Sequence, residues 1–199
     1  MTLNRRLAAT VVVTALAALV SACAGVGGRG AAAHSPSPSA SPGVSSAIGP
    51  GWSQRMEDRR VVMERVTRGS SAEVTRTPDN QLKLVFPSDI SFDPNGFAIK
   101  PRLRGLLDPL AGLLKGDAAA SVTVVGHTDN SGSEAVNNPL SLDRAQSVRD
   151  YLVGRGVPAT QIRTVGRGAR EPVADNTTEA GRTRNRRVEI FLREQAPQG

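Results

Sequence analysis

Between residues 99 and 194 the spacing of apolar residues switches repeatedly between a helical and a strand period, and this switching limits the folds open to the chain. Seven apolar residues recur at intervals that predict a helix: Ile99, Leu103, Leu106, Leu107, Leu110, Leu113 and Leu114. Pro101 suits the first turn of this helix, whereas Pro109 lies inside it, so we expect a kink or a restart there. The apolar run over residues 121–127 then predicts a buried strand.

The pattern continues with a second helix and two more strands. Ser141 is the expected N-cap of that helix, which should end near Gly154 or Gly156, and Ala145, Val148 and Leu152 share one of its faces. The remaining elements are a strand over residues 162–168, a short polar helix over 178–186 and an alternating strand over 187–194.

Two further elements precede this pattern. Residues 52–67 predict a helix whose amphipathicity is moderate, because Arg59 interrupts its apolar stripe. This helix could pack on the domain, or it could be a partner-binding or coiled-coil segment. Residues 72–77 and 81–86 predict a hairpin turned by Pro78-Asp79-Asn80. Together these elements predict an α+β fold, a two-layer α/β sandwich with a helix and hairpin extension at its N-terminal side.

The N-terminus carries the features of an export signal. Two arginines precede an apolar run over residues 7–20, which is shorter than the about 20 residues that span a membrane but typical of a secretory signal. The run ends in VSAC, and Cys23 is the only cysteine of the chain. This ending resembles the bacterial lipobox, which implies removal of residues 1–22 and acylation of Cys23 by chains such as palmitate. A signal peptide with an incidental cysteine and an uncleaved anchor are the alternatives.

Residues 23–50 have the composition of a linker. Gly, Ala, Ser and Pro dominate, and residues 35–42 read SPSPSASP. Such a segment cannot bury enough apolar surface to offset its ordering entropy, so we expect it to be disordered. The expected organisation is therefore a signal peptide, this linker, an extension over residues 51–80 and a domain over 81–195.

Two classes of function are disfavoured by composition and motifs. The net charge is +7, but basic residues are scattered among acids without interleaved aromatics, so we expect no nucleic-acid partner. The region after residue 81 shows no nucleophile–base pair, no metal-ligand cluster and no general-acid pair. We therefore expect no enzyme, no metal and no cofactor, and a strand-end hydrogen bond rather than a metal ligand for His127.

Five stretches of the chain resemble a single family. They are ISFDPNGFAI at 90–99, VVGHTDNSGS at 124–133, NNPLSLDRAQSVRDYLVGRGV at 137–157, TVGRGAREPVADN at 164–176 and EAGRTRNRRVEI at 179–190. In order and spacing they are similar to the OmpA-like peptidoglycan-associated domain of outer-membrane protein A, Pal and MotB. The resemblance implies that family's fold and its ligand, the diaminopimelate of peptidoglycan stem peptides.

The resemblance also implies a set of binding residues. The free end of diaminopimelate carries an ammonium and a carboxylate on one carbon, and the family positions that bind them match Asp129 and Arg144 respectively. Arginine suits a carboxylate because its planar guanidinium can bind it bidentately. Asn137 in the intervening loop, Asp93 after the ISF strand and Arg186 match further pocket positions.

Each of these residues also has an ordinary structural interpretation. Asp129 and Arg144 could form a salt bridge, and Asp93 could cap the turn that follows it. Asn137 could bond to the loop backbone, and Arg186 could be a solvated surface residue. A helix beginning at Ser141 would add backbone amides and a favourable dipole for the ligand carboxylate.

The combined expectation is a non-catalytic tether. The protein would be exported, lipid-anchored to the cell membrane through Cys23 and bound to the cell wall through its domain. The alternative is a wall-localised scaffold or sensor that recruits a protein partner through residues 51–68.

Overall fold

The structure is a computed structural model that describes residues 52–195. The predicted signal peptide, Cys23 and the predicted linker lie outside the described residues. Within residues 52–195, no helix is both long enough and apolar enough to cross a membrane.

Five strands form one sheet in the order β1-β2-β5-β3-β4. Their bounds are Glu73–Arg76 for β1, Leu82–Pro87 for β2, Ala120–His127 for β3, Ile162–Gly166 for β4 and Arg187–Glu194 for β5. β3 and β4 are parallel, whereas the other neighbouring pairs are antiparallel. The helices are Gln54–Thr67 (α1), Ser88–Ser91 (α2), Pro101–Leu114 (α3), Glu134–Gly154 (α4) and Glu179–Asn185 (α5), with a 3-10 turn at Ala159–Gln161.

The core lies between one face of the sheet and the helices. Alternate residues of β2, β3 and β5 point into it, and α3 contributes its leucines. Buried residues of α4 complete this layer, among them Ala145, Val148 and Leu152. The expected α+β two-layer sandwich is confirmed.

Helix α1 packs on this core. Ser53 caps it by accepting a hydrogen bond of 3.1 Å from the Met56 amide, and Trp52, Met56 and Met63 are buried in the core. Arg59 interrupts the apolar stripe in the sequence, yet it is also buried, because it forms an ion pair with Asp117. Of the two interpretations of this helix, packing on the domain is therefore the one observed.

The N-cap of helix α4 is Ser133, eight residues before the expected Ser141, and the helix begins at Glu134, so the predicted N-cap is wrong. Its first turn contains the exposed Val136 and has no apolar period that a sequence could reveal. Asn137 holds that turn in place by donating hydrogen bonds to the backbone oxygens of Asp129 and Ser131, at 3.3 and 3.1 Å. These tertiary bonds offset the cost of Pro139, which has no amide to donate inside the helix.

Two smaller predictions also fail. Helix α3 runs continuously through Pro109, so a restart is wrong; the carbonyl left without a donor belongs to Gly105, at an exposed position where water can bond to it. The strand expected before Asp93 is the short helix α2 instead. That turn is closed by hydrogen bonds from Phe92 N to Ser88 O and from Ser91 Oγ to Pro87 O.

Candidate functional site

A pocket of about 500 Å³ lies beside the end of β3, and all five residues predicted from the resemblance line it. They are Asp93, Asp129, Asn137, Arg144 and Arg186. The sequence reasoning did not include the other lining residues, which are Ser88, Asp89, Phe92, Pro94, Asn95, Lys100, Thr128, Ser131 and Leu140.

Two glycines let helix α4 approach the sheet closely enough to form one wall. A Cβ at Gly126 would lie 1.9 Å from Ser141 O, and one at Gly166 would lie 2.8 Å from the Leu142 Cβ. The Ser141 side chain fixes this contact, since its hydroxyl donates to Asn138 O and accepts from Gly168 N, both at 2.9 Å. The close packing places Arg144, one turn further along, against the pocket.

Arg144 is a buried cation whose protein partners are neutral. Its side chain donates from Nε to Gly96 O at 2.9 Å and from Nη1 to Ser88 Oγ at 3.5 Å. The guanidinium also lies 5.3 Å from the centroid of the Phe92 ring. Burial lowers the pKa of Arg144 and the positive charge of Arg186 lowers it further, while the negative charges of Asp129 and Asp89 partly oppose this. A buried cation without a direct ion pair is costly, so this position favours an added anion.

Asp129 supplies the negative charge of the pocket. Its Oδ2 accepts from Arg186 Nη1 at 2.7 Å, and its Oδ1 accepts from the Ser131 amide at 2.8 Å. Burial alone would raise the pKa of Asp129, but the hydrogen bonds from Arg186 and Ser131 outweigh it and hold the pKa below its usual value. The carboxylate is therefore ionised, and its protein partner is Arg186. The considered salt bridge between Asp129 and Arg144 is wrong.

Arg186 lies between two carboxylates. Besides Asp129, it bonds through Nη2 to Glu179 Oε1 at 3.0 Å and to Thr183 Oγ1 at 2.8 Å. Burial favours its neutral form, but the hydrogen bonds to the two acids outweigh this and raise its pKa. Arg186 therefore orients Asp129 rather than standing free in solvent.

Asn137 and Asp93 occupy different positions from those expected. Asn137 lies in the first turn of α4 rather than in a loop, and it fixes the loop that carries Asp129. The Asp93 side chain is 76% exposed at the rim and lies 3.3 Å from Lys100 Nζ. The turn after it is closed by the Asp93 carbonyl, which accepts from the Gly96 amide at 2.9 Å.

Phe92 and Thr128 are the most informative residues that the sequence reasoning missed. Phe92 forms the apolar wall on which Arg144 rests. The Thr128 hydroxyl is buried and has no hydrogen-bond partner within residues 52–195. Both stand beside predicted residues in the stretches ISFDPNG and GHTDN, so adjacency was the signal that could have found them.

Three further residues of the motifs lie outside the pocket: His127, Asn185 and Gly181. His127 is buried with Nε2 3.7 Å from Glu189 Oε2, a distance longer than a direct hydrogen bond. Burial would raise the pKa of Glu189, but its interactions with His127, Lys83 and Arg187 outweigh this and lower it. Asn185 holds the loop at Ala174 through both atoms of its amide. A Cβ at Gly181 would lie 1.8 Å from Asp175 O. Among residues 52–195, no group of three or more His, Cys, Asp or Glu side chains could hold a metal ion.

The domain is thus a five-stranded sheet covered by helices, with a pocket lined by side chains of both charges. Residues 91–186 match the OmpA family. Through this domain the chain belongs to the OmpA family, as its motifs predicted.

Known relatives support this assignment. The chain is 37% identical over 145 residues to the probable lipoprotein YiaD of Escherichia coli K12, covering 73% of this chain and 66% of the relative. It is 48% identical over 103 residues to the peptidoglycan-binding protein ArfA of Mycobacterium tuberculosis H37Rv, covering 52% of this chain and 32% of that protein. It therefore spans about two thirds of one relative and about a third of the other.

A solved structure shows the same fold. The cell wall anchor of the T6SS from Pseudomonas aeruginosa superposes with a TM-score of 0.59 at 28% identity, covering 69% of this chain and 96% of that chain.

Proposed function

We propose that this protein binds peptidoglycan without catalysis and tethers the cell membrane to the cell wall. The observation that carries the proposal is the buried Arg144, which has only neutral protein partners and faces a pocket shared with the ionised Asp129. A pocket with one receptor for an anion and one for a cation suits a zwitterion. The relatives' printed names, which include a peptidoglycan-binding protein and a probable lipoprotein, support the same role.

The proposed ligand is the zwitterionic end of diaminopimelate in a stem peptide. Its carboxylate would bind Nη2 of Arg144, since Nε and Nη1 already donate to Gly96 and Ser88. Its ammonium would bind Asp129, because a carboxylate can accept more hydrogen bonds than the two it has in the pocket. Asn137 and Arg186 would position Asp129, and Asp93 would act at the rim.

The observed helix changes one detail of this recognition. Because α4 begins at Glu134, Arg144 lies in the middle of the helix, and its neighbouring amides are occupied by helical hydrogen bonds. The amides and dipole of a helix N-terminus therefore contribute nothing at Arg144. Side-chain charge must supply the selectivity for the ligand carboxylate.

The expected affinity for one stem is modest. Charge-assisted hydrogen bonds contribute about 1.5–3 kcal/mol each, and the cost of association leaves a dissociation constant of roughly micromolar to millimolar. The wall is a polymer of repeated stems, and a lipid at Cys23 would confine the domain near it. The resulting effective concentration makes weak binding sufficient for a tether.

Recruitment of a partner through residues 51–68 is less well supported. Helix α1 uses Trp52, Met56 and Met63 in the core, and its buried Arg59 pairs with Asp117. Val61 is the exposed large apolar residue on this helix, at 40% exposure. A partner would thus meet a mostly polar surface.

Binding to purified, protein-free peptidoglycan tests the proposal. We expect the detergent-solubilised full chain to co-sediment with it, and Asp129→Ala and Arg144→Ala each to weaken binding at least about tenfold, since each removes a charge-assisted bond. Arg149→Ala and Asp150→Ala are matched controls, because these residues lie on the same helix and pair with each other at the surface. Circular dichroism verifies folding of every variant.

Two further measurements test the identity of the ligand and the absence of catalysis. Amidation of the diaminopimelate carboxylate removes the anion proposed to bind Arg144, so amidated wall should bind more weakly and respond less to Arg144→Ala. No soluble fragments should accumulate during incubation with intact wall. The proposal that the pocket binds a zwitterion would be contradicted if binding survived both pocket substitutions. Equal binding to amidated and unamidated peptidoglycan would contradict it as well.

A further inference from the structure

The sheet face opposite the helical layer contains a groove along β3. The β3 residues that line it are Ser121, Thr123 and Val125. The neighbours of the first two are long, because Ser121 pairs with Arg193. Thr123 pairs with Phe191 of β5 and with Arg163 of β4. Neighbouring strands lie about 4.8 Å apart, so the two walls are separated by roughly 10 Å. The depression has a volume of about 430 Å³.

The lining of this groove is basic. Three arginines line it, Arg163, Arg167 and Arg193, and none of its lining residues is acidic. The Arg163 side chain is exposed and forms no ion pair or hydrogen bond within residues 52–195. Arg193 lies 3.4 Å from Asp79, and Arg167 lies 3.2 Å from Glu171, with all four side chains about half exposed. Exposed pairs of this kind contribute about 0–1 kcal/mol, so both arginines can bind an external anion.

We propose that this groove binds a linear anionic polymer of the cell envelope, with phosphate or carboxylate groups on its repeating units. The guanidinium groups of Arg163 and Arg193 would bind oxyanions from opposite walls. Ser121 and Thr123 would donate hydrogen bonds from the floor, and Phe191 offers an apolar surface for a sugar ring. The groove shares no lining residue with the pocket that contains Arg144, so the two sites can be occupied independently.

Other occupants fit these observations less well. Residues 1–51 and 196–199 contain no Asp or Glu, so the side chains of these segments offer no negative charge to the three arginines. A membrane surface is planar, whereas the groove floor is recessed between longer side chains on β4 and β5. A flexible strand of polymer can enter such a groove and contact both walls.

Titration of the full chain, in detergent, with fluorescent polyphosphate and with fluorescent polygalacturonate tests this proposal. We expect binding that weakens with salt, and Arg163→Gln/Arg193→Gln to lose roughly tenfold or more in affinity at low salt. The dependence of log affinity on log salt should flatten by roughly one unit per arginine removed. The polymer that binds more tightly identifies phosphate or carboxylate as the preferred group.

A matched double variant separates the groove from general charge. Arg65→Gln/Arg68→Gln removes the same two charges from exposed positions at the end of α1 and should change affinity less than about twofold. Equal losses in both double variants would overturn the proposal. It would also be overturned by binding to phosphatidylglycerol vesicles with no binding to either polymer, or by a dimer that dissociates only in the groove variant.

Discussion

Arg59 and Arg144 are both buried, with 3% exposure each, but only Arg59 forms an ion pair. Arg59 on α1 forms an ion pair with Asp117 and lies 3.6 Å from Glu194 Oε1. Arg144 on α4 bonds instead to a backbone carbonyl and a serine hydroxyl and rests on Phe92.

The comparison separates a structural arginine from a candidate receptor. Removing one member of a buried ion pair leaves the other charge uncompensated, which commonly costs about 3–5 kcal/mol. A buried cation with neutral partners instead destabilises the unliganded protein and gains most when an anion arrives. Arg187 resembles Arg59, since its Nε lies 2.7 Å from Glu189 Oε1. Arg144 is the exception among these three, and it is the one that lines the pocket.

The largest effect on stability is expected at Arg59. Arg59→Met should lower the free energy of unfolding by about 3 kcal/mol, because Asp117 and Glu194 lose their buried partner. Urea unfolding followed by circular dichroism measures this change. Arg55→Met is the matched control, since Arg55 approaches the same two carboxylates but is 59% exposed. We expect a cost below about 1 kcal/mol there, and equal costs at the two positions would contradict the structural role of Arg59.

Arg144→Met should separate binding from stability. The substitution removes two hydrogen bonds but also removes a desolvated charge, so the free energy of unfolding should change by less than about 1 kcal/mol in either direction. Peptidoglycan binding should fall at least about tenfold in the same preparation. A loss of stability as large as that of Arg59→Met would show that Arg144 belongs with the structural arginines.

The smallest expected effect is the contribution of Asp129 to the pH dependence of the free energy of unfolding. Its pKa in the folded protein lies below the ordinary value of 3.8, because bonds from Arg186 and Ser131 outweigh burial. The stabilisation is therefore fully present above about pH 4 and is lost as the pH falls through the folded-state pKa. The wild type should lose more stability on acidification from about pH 5 to pH 3 than Asp129→Asn does.

A double-mutant cycle checks the partner of Asp129. Arg186→Gln should reduce the difference in acid sensitivity between the wild type and Asp129→Asn, because Arg186 is the hydrogen-bonded partner. Arg144→Met should leave most of that difference in place. The reverse result would show that Arg144, rather than Arg186, is the main electrostatic partner of Asp129.

The elements that depend on local apolar spacing were predictable from the sequence. The strand over residues 187–194 and the leucine-rich helix α3 were both correct, because burial of one face imposes a period that residues reveal directly. The start of α4 was not predictable in this way. Its first turn has no buried apolar face and depends on the bonds from Asn137 to a loop six to eight residues earlier.

Five residues of the pocket were predictable, but the hydrogen-bond partners among them were not. Motif resemblance supplied Asp93, Asp129, Asn137, Arg144 and Arg186, and all five line one pocket. The Phe92 wall and the partnership of Asp129 with Arg186 did not follow from those motifs. Which residues are charged can be read directly from the sequence. Which of them form hydrogen bonds with each other depends on the distances between α2, α4 and α5 in the folded protein.

The sequence by itself determined the family and most of the strands and helices after residue 81, but not helix α2 or the start of α4. It also fixed the chemical types that the pocket contains, because side-chain periodicity and motif spacing are properties of the chain alone. Only the tertiary structure decided that Arg59 is neutralised by Asp117 while Arg144 keeps neutral partners. The physical reason is that the cost of burying a charge depends on which residues, distant in sequence, surround it after folding.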